Sequence, residues 1–359
     1  MKKVCLEEVS DRGSSNVAQK DIEGLSGDYP IYGAAGYIGN VNFYHRDSDY
    51  IAVVKDGAGI GRTMFLPAKS SVIGTLQYIL PKETVVSKYL FYAVKNMRLE
   101  KYYTGAAIPH IYYKDYKKEQ FWLPDKIKQQ KVVDILEKVE RVIKERQQEI
   151  KYLDDLIKSR FVEMFGEPEL NSKNYPVMLL SEIAEYWNGL TYKPEDVADE
   201  GTIVLRSSNI QNSQLDFEDT VRVSCFINEK KYVQDNDILM CSRNGSARLV
   251  GKVALIKRVK EPMSFGAFMM IIRSEYYQYL MTYFQMDAFR NQITTGATTT
   301  INQITGRMLD AIKLPVPDIC EVNRFAECVK GIDKLKSEVQ QSLDEMQLLM
   351  DSLMQKYFG

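Results

Sequence analysis

Between residues 126 and 165 apolar side chains recur at alternating steps of four and three: Val132, Leu136, Val139, Ile143, Ile150, Leu153, Ile157 and Met164. Arg146 and Arg160 fill the two remaining places, and no Gly or Pro interrupts the segment. This spacing is a heptad seam and predicts one long helix. A shift of 193 carries the seam onto Phe325, Val329, Ile332, Lys336, Val339, Leu343, Met346, Met350, Leu353 and Tyr357, and both segments end in Phe-Gly, at Phe165-Gly166 and Phe358-Gly359. Arg146 and Lys336, polar places on the seams, are expected to snorkel or pair. Gly331 lies inside the second helix, where a glycine costs up to about 1 kcal/mol; close approach of a partner helix would account for it.

A shorter pattern is repeated around the helices. Tyr50–Lys55 reads as a buried strand and Ser71–Leu80 contains another; Ser87–Tyr103 reads as a helix, followed by Thr104-Gly105-Ala106 and Leu123-Pro124. The second half offers strands at Thr202–Arg206, Asp237–Cys241, Gly251–Ile256 and Phe268–Ile272. A helix at Glu275–Ile293 follows, then Thr295-Gly296-Ala297 and Leu314-Pro315. Pro176 marks the exit from the first long helix. The small motifs repeat at a shift of 191 and the helices at 193, so two residues are inserted between them. The expected fold is α+β: two globular mixed α/β units, 1–125 and 167–317, separated by two long helices, 126–166 and 318–359, with an internal pseudo-two-fold repeat. The second helix has only the first to cover its seam, so the two are expected to pair as an antiparallel coiled coil. Each would be roughly 55 Å long at 1.5 Å per residue, a rod with one unit near each end.

Composition narrows the class without deciding it. The 359 residues are 45% hydrophobic and 26% charged, with a net charge of −1. That balance argues against an indiscriminate nucleic-acid coat and leaves room for a reader with basic side chains on a few loops. Five cysteines without a CxxC pair fit reduced thiols. No apolar run is long enough to span a bilayer, and MKKVCLEEVS has no signal-like core, so a cytoplasmic location without membrane contact is expected.

Catalytic motifs are missing from the sequence. Two histidines, His45 and His110, leave little for a histidine metal centre or triad. There is no GxxxxGK[ST] loop, and Gly57, Gly59 and Gly61 lack GxGxxG spacing and read as tight turns. A PD…ExK pattern can be drawn from Pro124-Asp125 to Glu149-Ile150-Lys151. Its acidic end lies roughly 36 Å along the helix, too far for the carboxylates to meet. No Asn/Asp-Pro-Pro-Tyr motif is present.

Recognition chemistry is better represented. The first unit offers Asn40, Asn42, Tyr44, His45 and Arg46, then Lys55, Arg62 and Thr63 beside glycines, then His110, Tyr112, Tyr113 and Lys114. The second offers Arg206, Ser207, Asn209 and Gln211, then Arg243, Asn244, Ser246 and Arg248, then Thr298, Asn302 and Gln303. Arg, Asn and Gln read base edges bidentately, whereas Ser, Thr, Lys and backbone amides hold phosphates. Polar loops in corresponding parts of a repeat point to double-stranded DNA more strongly than either set alone.

In this order of motifs the chain resembles the specificity subunits of type I restriction–modification enzymes. YPIYGAAGYIGN (29–40), VVKDGAGIGR (53–62) and LPDKIKQQKVVDIL (123–136) carry the resemblance in the first unit. IVLRSSNIQ (203–211), DNDILMCSRNGSARLVGKVALI (235–256), TGATTTINQ (295–303) and LPVP (314–317) carry it in the second. The second helix departs from the pattern, with ICEVNRFA where the first has IKQQKVVD. The resemblance implies a non-catalytic subunit in which each unit, a target recognition domain, reads one half of a split asymmetric DNA site. The helices would fix the spacer and dock two methyltransferase subunits, through which restriction endonuclease and translocase subunits join. This chain would bind no cofactor; S-adenosylmethionine, ATP and Mg would belong to the partners. Two other readings fit the same residues: the specificity subunit of an enzyme whose partner fuses nuclease and methylase, and a coiled-coil protein scaffold that binds no DNA.

If the helices set the spacer, removing one heptad from each, Gln147–Leu153 and Gln340–Met346, keeps the seams in register. It shortens each helix by about 10 Å, or roughly three base pairs at 3.4 Å each. Selection from DNA randomised in spacer length, with the methyltransferase present, should enrich the original half-sites at a shorter spacer. Enrichment at the unchanged spacer would show that the helices are not the ruler.

Overall fold

The computed structural model describes residues 2–57, 59–105, 109–294 and 303–359. The chain opens with β1 (Lys2–Cys5), the single helical turn α1 (Leu6–Val9) and β2 (Ser10–Ser14). A hairpin of β3 (Tyr29–Gly33) and β4 (Gly36–Val41) follows, then β5 (Tyr50–Val54), β6 (Thr63–Leu66), β7 (Ser71–Val72) and β8 (Leu76–Pro81). After α2 (Ser87–Asn96), α3 (Tyr113–Tyr116) and β9 (Gln120–Leu123) comes the long helix α4 (Lys126–Phe165). The second half runs through β10 (Val177–Leu179), α5 (Leu180–Ile183), β11 (Glu185–Asn188), β12 (Val197–Ala198), β13 (Thr202–Leu205), β14 (Ile210–Gln211), β15 (Gln214–Leu215) and β16 (Arg222–Val223). It continues with β17 (Ile238–Cys241), β18 (Val253–Leu255), β19 (Met263–Phe265), β20 (Met269–Arg273), α6 (Tyr277–Tyr283), α7 (Asp287–Thr294), α8 (Gly306–Asp310), β21 (Lys313–Pro315) and the long helix α9 (Ile319–Phe358).

Contacts divide the chain into unit 1, residues 1–148 and 339–359, and unit 2, residues 149–338. Each long helix is therefore shared between the units. The two units follow one plan. Unit 1 has a sheet in the order β2-β8-β5-β6 and unit 2 the order β11-β20-β17-β18. The pair β1-β9 is matched by β10-β21, and the parallel pair β3-β7 by β13-β19.

The central strands are buried on both faces, which is why they read as unbroken apolar runs and not as alternating ones. In β5, Ile51 and Val53 enter the cluster shared with α2 and α4, while Tyr50, Ala52 and Val54 enter a second cluster with Ile31, Val72 and Tyr78. In β17, Ile238 and Met240 face α6, α7 and the long helices, and Leu239 and Cys241 face β13 and β19. One buried charge is tolerated beside β17. Asp237, 1% exposed, takes two hydrogen bonds from Arg273, at 2.7 and 2.8 Å.

Both long helices have 40 residues, and the 193 shift holds at their starts and ends. Each starts behind a Pro-Asp pair: Asp125 accepts from the Lys128 N–H at 2.9 Å and Asp318 from the Cys320 N–H at 2.7 Å. These caps satisfy N–H groups that the first helical turn leaves unpaired. They place the two-residue insertion before Pro317 and make Asp125 a cap. The first helix ends at Gly166, in the left-handed region at φ 75°, whose N–H returns to the Val162 carbonyl at 2.8 Å. Pro176, expected to mark that exit, instead precedes β10 and accepts the Val316 N–H.

In unit 1, Val132, Leu136 and Val139 of α4 share a core with Met350 and Phe358 of α9; in unit 2, Phe161 and Phe165 share one with Val322, Phe325 and Val329. N-terminal half meets C-terminal half each time, so the helices run antiparallel. Lys336 on the seam pairs with Asp154. Arg160 does not hold a seam place: it is exposed and paired with Glu163 at 2.5 Å, and Phe161 is fully buried in its stead. A straight helix drifts against a strict seven-residue repeat, and here the apolar globular core, not the partner helix, selects the inward residue. Two shorter helices also break where the sequence showed no Gly or Pro. Met97 ends α2 and Arg98 turns left-handed at φ 49°, which folds Leu99 into the core. Tight turns at Gln285 and Met286 separate α6 from α7 and bring the buried rings of Phe284 and Phe289 to 4.9 Å. Among the described residues no helix is long and apolar enough to cross a membrane.

Gly331 does not serve close helix approach. It is exposed, and a Cβ added there would meet nothing within 4 Å. Gly331→Ala should therefore raise stability by up to about 1 kcal/mol through helix propensity. Denaturant unfolding that shows a loss would reveal a contact at this position.

Candidate nucleic-acid interface

In each unit two or more of the sequence-predicted loops meet at one end of the central sheet. In unit 1 the chain leaves β5 and turns back through Gly61, whose N–H bonds the Val54 carbonyl at 2.9 Å. The Val54 N–H bonds the Arg62 carbonyl at 2.9 Å, the Lys55 N–H bonds Thr75 at 3.0 Å, and the Ile111 N–H bonds Lys55 at 3.0 Å. Unit 2 repeats this bond for bond: Gly251 to Cys241 at 2.8 Å, Cys241 to Lys252 at 2.9 Å, Ser242 to Phe268 at 3.0 Å and Ile304 to Ser242 at 2.7 Å. Gly61 and Gly251 share φ 80°. The isolated bridge between Asp56 and His110 is matched by that between Arg243 and Gln303. Equivalent positions therefore carry different chemistry: Asp56, His110 and Thr75 in one unit, Arg243, Gln303 and Phe268 in the other.

In unit 1, His110 pairs with Asp56 and packs its ring 4.0 Å from that of Tyr112, which is exposed. The Lys114 ammonium lies 5.2 Å from the Tyr112 ring, and Lys55 lies 3.9 Å from Asp56. Arg62 is exposed and ties this loop to the β3–β4 turn through the Ala34 carbonyl at 3.0 Å. Its counterpart Lys252 ties the matching loop to the Ile210 carbonyl at 3.2 Å. Thr63 turns its hydroxyl back to Gly61. Asn40, at the hairpin, accepts from the exposed Tyr37 hydroxyl at 3.1 Å, and Asn42 is exposed beyond it. Tyr44 packs on Tyr29 at 4.7 Å, and a hydrogen bond to Asp47 raises its phenol above the usual range. The Arg46 guanidinium covers the Tyr78 ring at 4.3 Å with its Nε buried, so this residue is bound into the sheet.

In unit 2, Asn244 donates to the Ser207 hydroxyl at 3.1 Å, which joins the first and second polar loops, and the Arg243–Gln303 bridge adds the third. Asn244 also accepts the Ser246 N–H at 3.0 Å. Ser246, Arg248 and Gln211 are exposed; Gln211 donates to the Ser208 carbonyl at 3.0 Å. Arg206 is held by Asp219 at 2.8 Å. Asn209 is a correction. It is 1% exposed, donates to the Asp216 and Asp219 carbonyls at 2.8 and 2.9 Å, and accepts the Arg206 N–H at 2.8 Å. Its amide builds the loop and has nothing left for a base. Thr298 and Asn302 lie outside the described residues. The sequence reading passed over Phe268, Tyr37 and Asp56. The first two are 59% and 61% exposed; Phe268 opens a run, Phe268–Ile272, that reads as a strand. Among the described residues no group of acidic, histidine or cysteine side chains is arranged to hold a metal ion.

Residues 1–152 match the family described as type I restriction modification DNA specificity domain. The chain is 29% identical over 169 residues to the type I restriction enzyme EcoKI specificity subunit of Escherichia coli, covering 45% of this chain and 36% of that protein. It therefore matches about a third of that relative's length. It is 24% identical over 318 residues to the type I restriction enzyme MjaVIII specificity subunit of Methanocaldococcus jannaschii, covering 79% of this chain and 72% of that one. In fold it is similar to the type I restriction-modification S subunit from M. genitalium, with a TM-score of 0.60 and 15% identity over 100% of this chain and 96% of the other. A second chain, from a structure of complex assembly in a type I system, aligns with a TM-score of 0.57 and 14% identity over 99% and 97%. Residues 1–152 thus match a type I restriction modification DNA specificity domain, and the chain is similar in sequence to specificity subunits of type I restriction enzymes.

Proposed function

We propose that this chain is the non-catalytic, cytoplasmic DNA reader of a type I complex, each unit reading one half of a split asymmetric site. The carrying observation is the loop junction at the end of the central sheet, repeated bond for bond with different side chains. An identical frame holds the backbone in one geometry for a groove, and unlike side chains at matched places read unlike bases. The long helices dock two methyltransferase subunits, through which the restriction endonuclease and translocase subunits are recruited. S-adenosylmethionine, ATP and Mg belong to those partners.

The purified chain should transfer no methyl group and hydrolyse neither DNA nor ATP. Methylation of DNA by the chain alone would sink the proposal. Assembled with its methyltransferase, it should bind DNA sequence-selectively, with affinity falling steeply as salt rises; no binding to DNA would favour a protein scaffold.

Arg62→Ala and Arg243→Ala should relax different half-sites, each by about 1–3 kcal/mol where the side chain contacts a base. Methylated-site sequencing with each variant checks this. Equal loss on all sequences would place both residues on phosphates or in the fold.

A further inference from the structure

Phe268 and Arg243 form a pair that the fold does not need. Phe268 precedes β20, whose next four residues are buried, yet its own ring is 59% exposed. Its carbonyl accepts the N–H groups of Ser242 and Arg243, at 3.0 and 3.1 Å, and the Ser242 hydroxyl at 3.0 Å. Three hydrogen bonds thus fix the backbone from which the ring projects. The Arg243 guanidinium carbon lies 5.3 Å from the ring centre. Three other arginines of this unit are held by carboxylates: Arg206 by Asp219, Arg222 by Glu261 and Arg273 by Asp237. Among the described residues the Arg243 guanidinium has no hydrogen-bond acceptor, only the Phe268 ring. An arginine drawn to the face of an aromatic ring is held there without spending its hydrogen-bond donors.

Resting on the proposed DNA-reading function, we propose that Arg243 and Phe268 read two neighbouring base pairs of the unit 2 half-site. Arg243 donates to O6 and N7 of a guanine, and Phe268 covers the 5-methyl group of an adjacent thymine. Guanidinium to guanine is the commonest bidentate base contact, and the thymine methyl is the one apolar group on a major-groove edge. The 5.3 Å between the two groups fits stacked pairs about 3.4 Å apart along the axis with a sideways offset. Unit 1 places Asp56 and Thr75 at the equivalent positions, a carboxylate and a small hydroxyl, and so would not read the same step.

The test uses the full chain assembled with its methyltransferase, on a duplex carrying the sequence methylated in the host. Each thymine is replaced in turn by deoxyuridine, which removes only the methyl group, and each guanine by 7-deazaguanine, which removes only N7. One deoxyuridine should weaken wild-type binding by about 3- to 10-fold and leave Phe268→Ala indifferent. One 7-deazaguanine beside it should weaken the wild type by about tenfold and leave Arg243→Gln indifferent. Phe268→Leu, which keeps an apolar side chain, should retain most of the sensitivity to the methyl group, so a folding defect in Phe268→Ala does not hide the result. Sequence-selective binding that ignores every deoxyuridine overturns this inference and leaves the DNA-reading function standing. Loss of methyltransferase assembly in Phe268→Ala, with a wild type that ignores the methyl groups, assigns the ring to a protein contact instead. Absence of selective binding by the wild type overturns both.

Discussion

The constraint on which each unit depends is a short central strand buried on both faces. β5 and β17 have no polar face to give to water, so every backbone group must find a partner in the ladder, and their ends must be closed by returning chain. That closure fixes the loops. The N–H and C=O of Val54 are taken by Arg62 and Gly61, and those of Cys241 by Lys252 and Gly251. The geometry of the polar loops is therefore set by hydrogen-bond accounting in the core and not by the polar side chains themselves.

The return through Gly61 and Gly251 shows how tightly this is drawn. Both have φ 80°, and a Cβ on Gly61 would lie 2.5 Å from the Glu100 nitrogen, a backbone atom that has no room to give. At Gly251 the obstacle is the Arg290 guanidinium at 3.2 Å. A side chain is strained at either place. With the frame fixed in this way, the flanking positions are free to differ, and they do: an acidic residue and a histidine in unit 1, an arginine and a glutamine in unit 2. One backbone frame thus carries different side chains in the two units.

The helices obey a different rule. Their seam is most deeply buried where it lies against the globular cores, at Leu136, Phe161, Phe325 and Met350, and only half-buried at Ile150, Leu153, Leu343 and Met346. Two helices alone cannot cover each other fully, so the cores set which residue faces inward at each end. That explains the exchange of Arg160 for Phe161.

The sequence by itself determined the repeat, the α+β class, the long helices and their pairing, because heptad spacing and doubly buried strands are local patterns that survive without tertiary context. Tyr50–Lys55, Thr202–Arg206 and Asp237–Cys241 became strands nearly as read, since an apolar run of that length has few other uses. Helix breaks at Arg98 and Gln285 had no local signal and were decided by which aromatic or leucine side chain the core could take. The polar loops of the candidate site were legible, but the place of each side chain in them was not. Asn209 is polar and buried because its amide satisfies carbonyls that only the folded loop brings to it. Phe268 is apolar and exposed because three hydrogen bonds to its own carbonyl hold it just before the first residue of β20, at the end of the sheet. Polarity predicts exposure on average, whereas which side chains meet across loops dozens of residues apart is settled only when the strands that carry them pair.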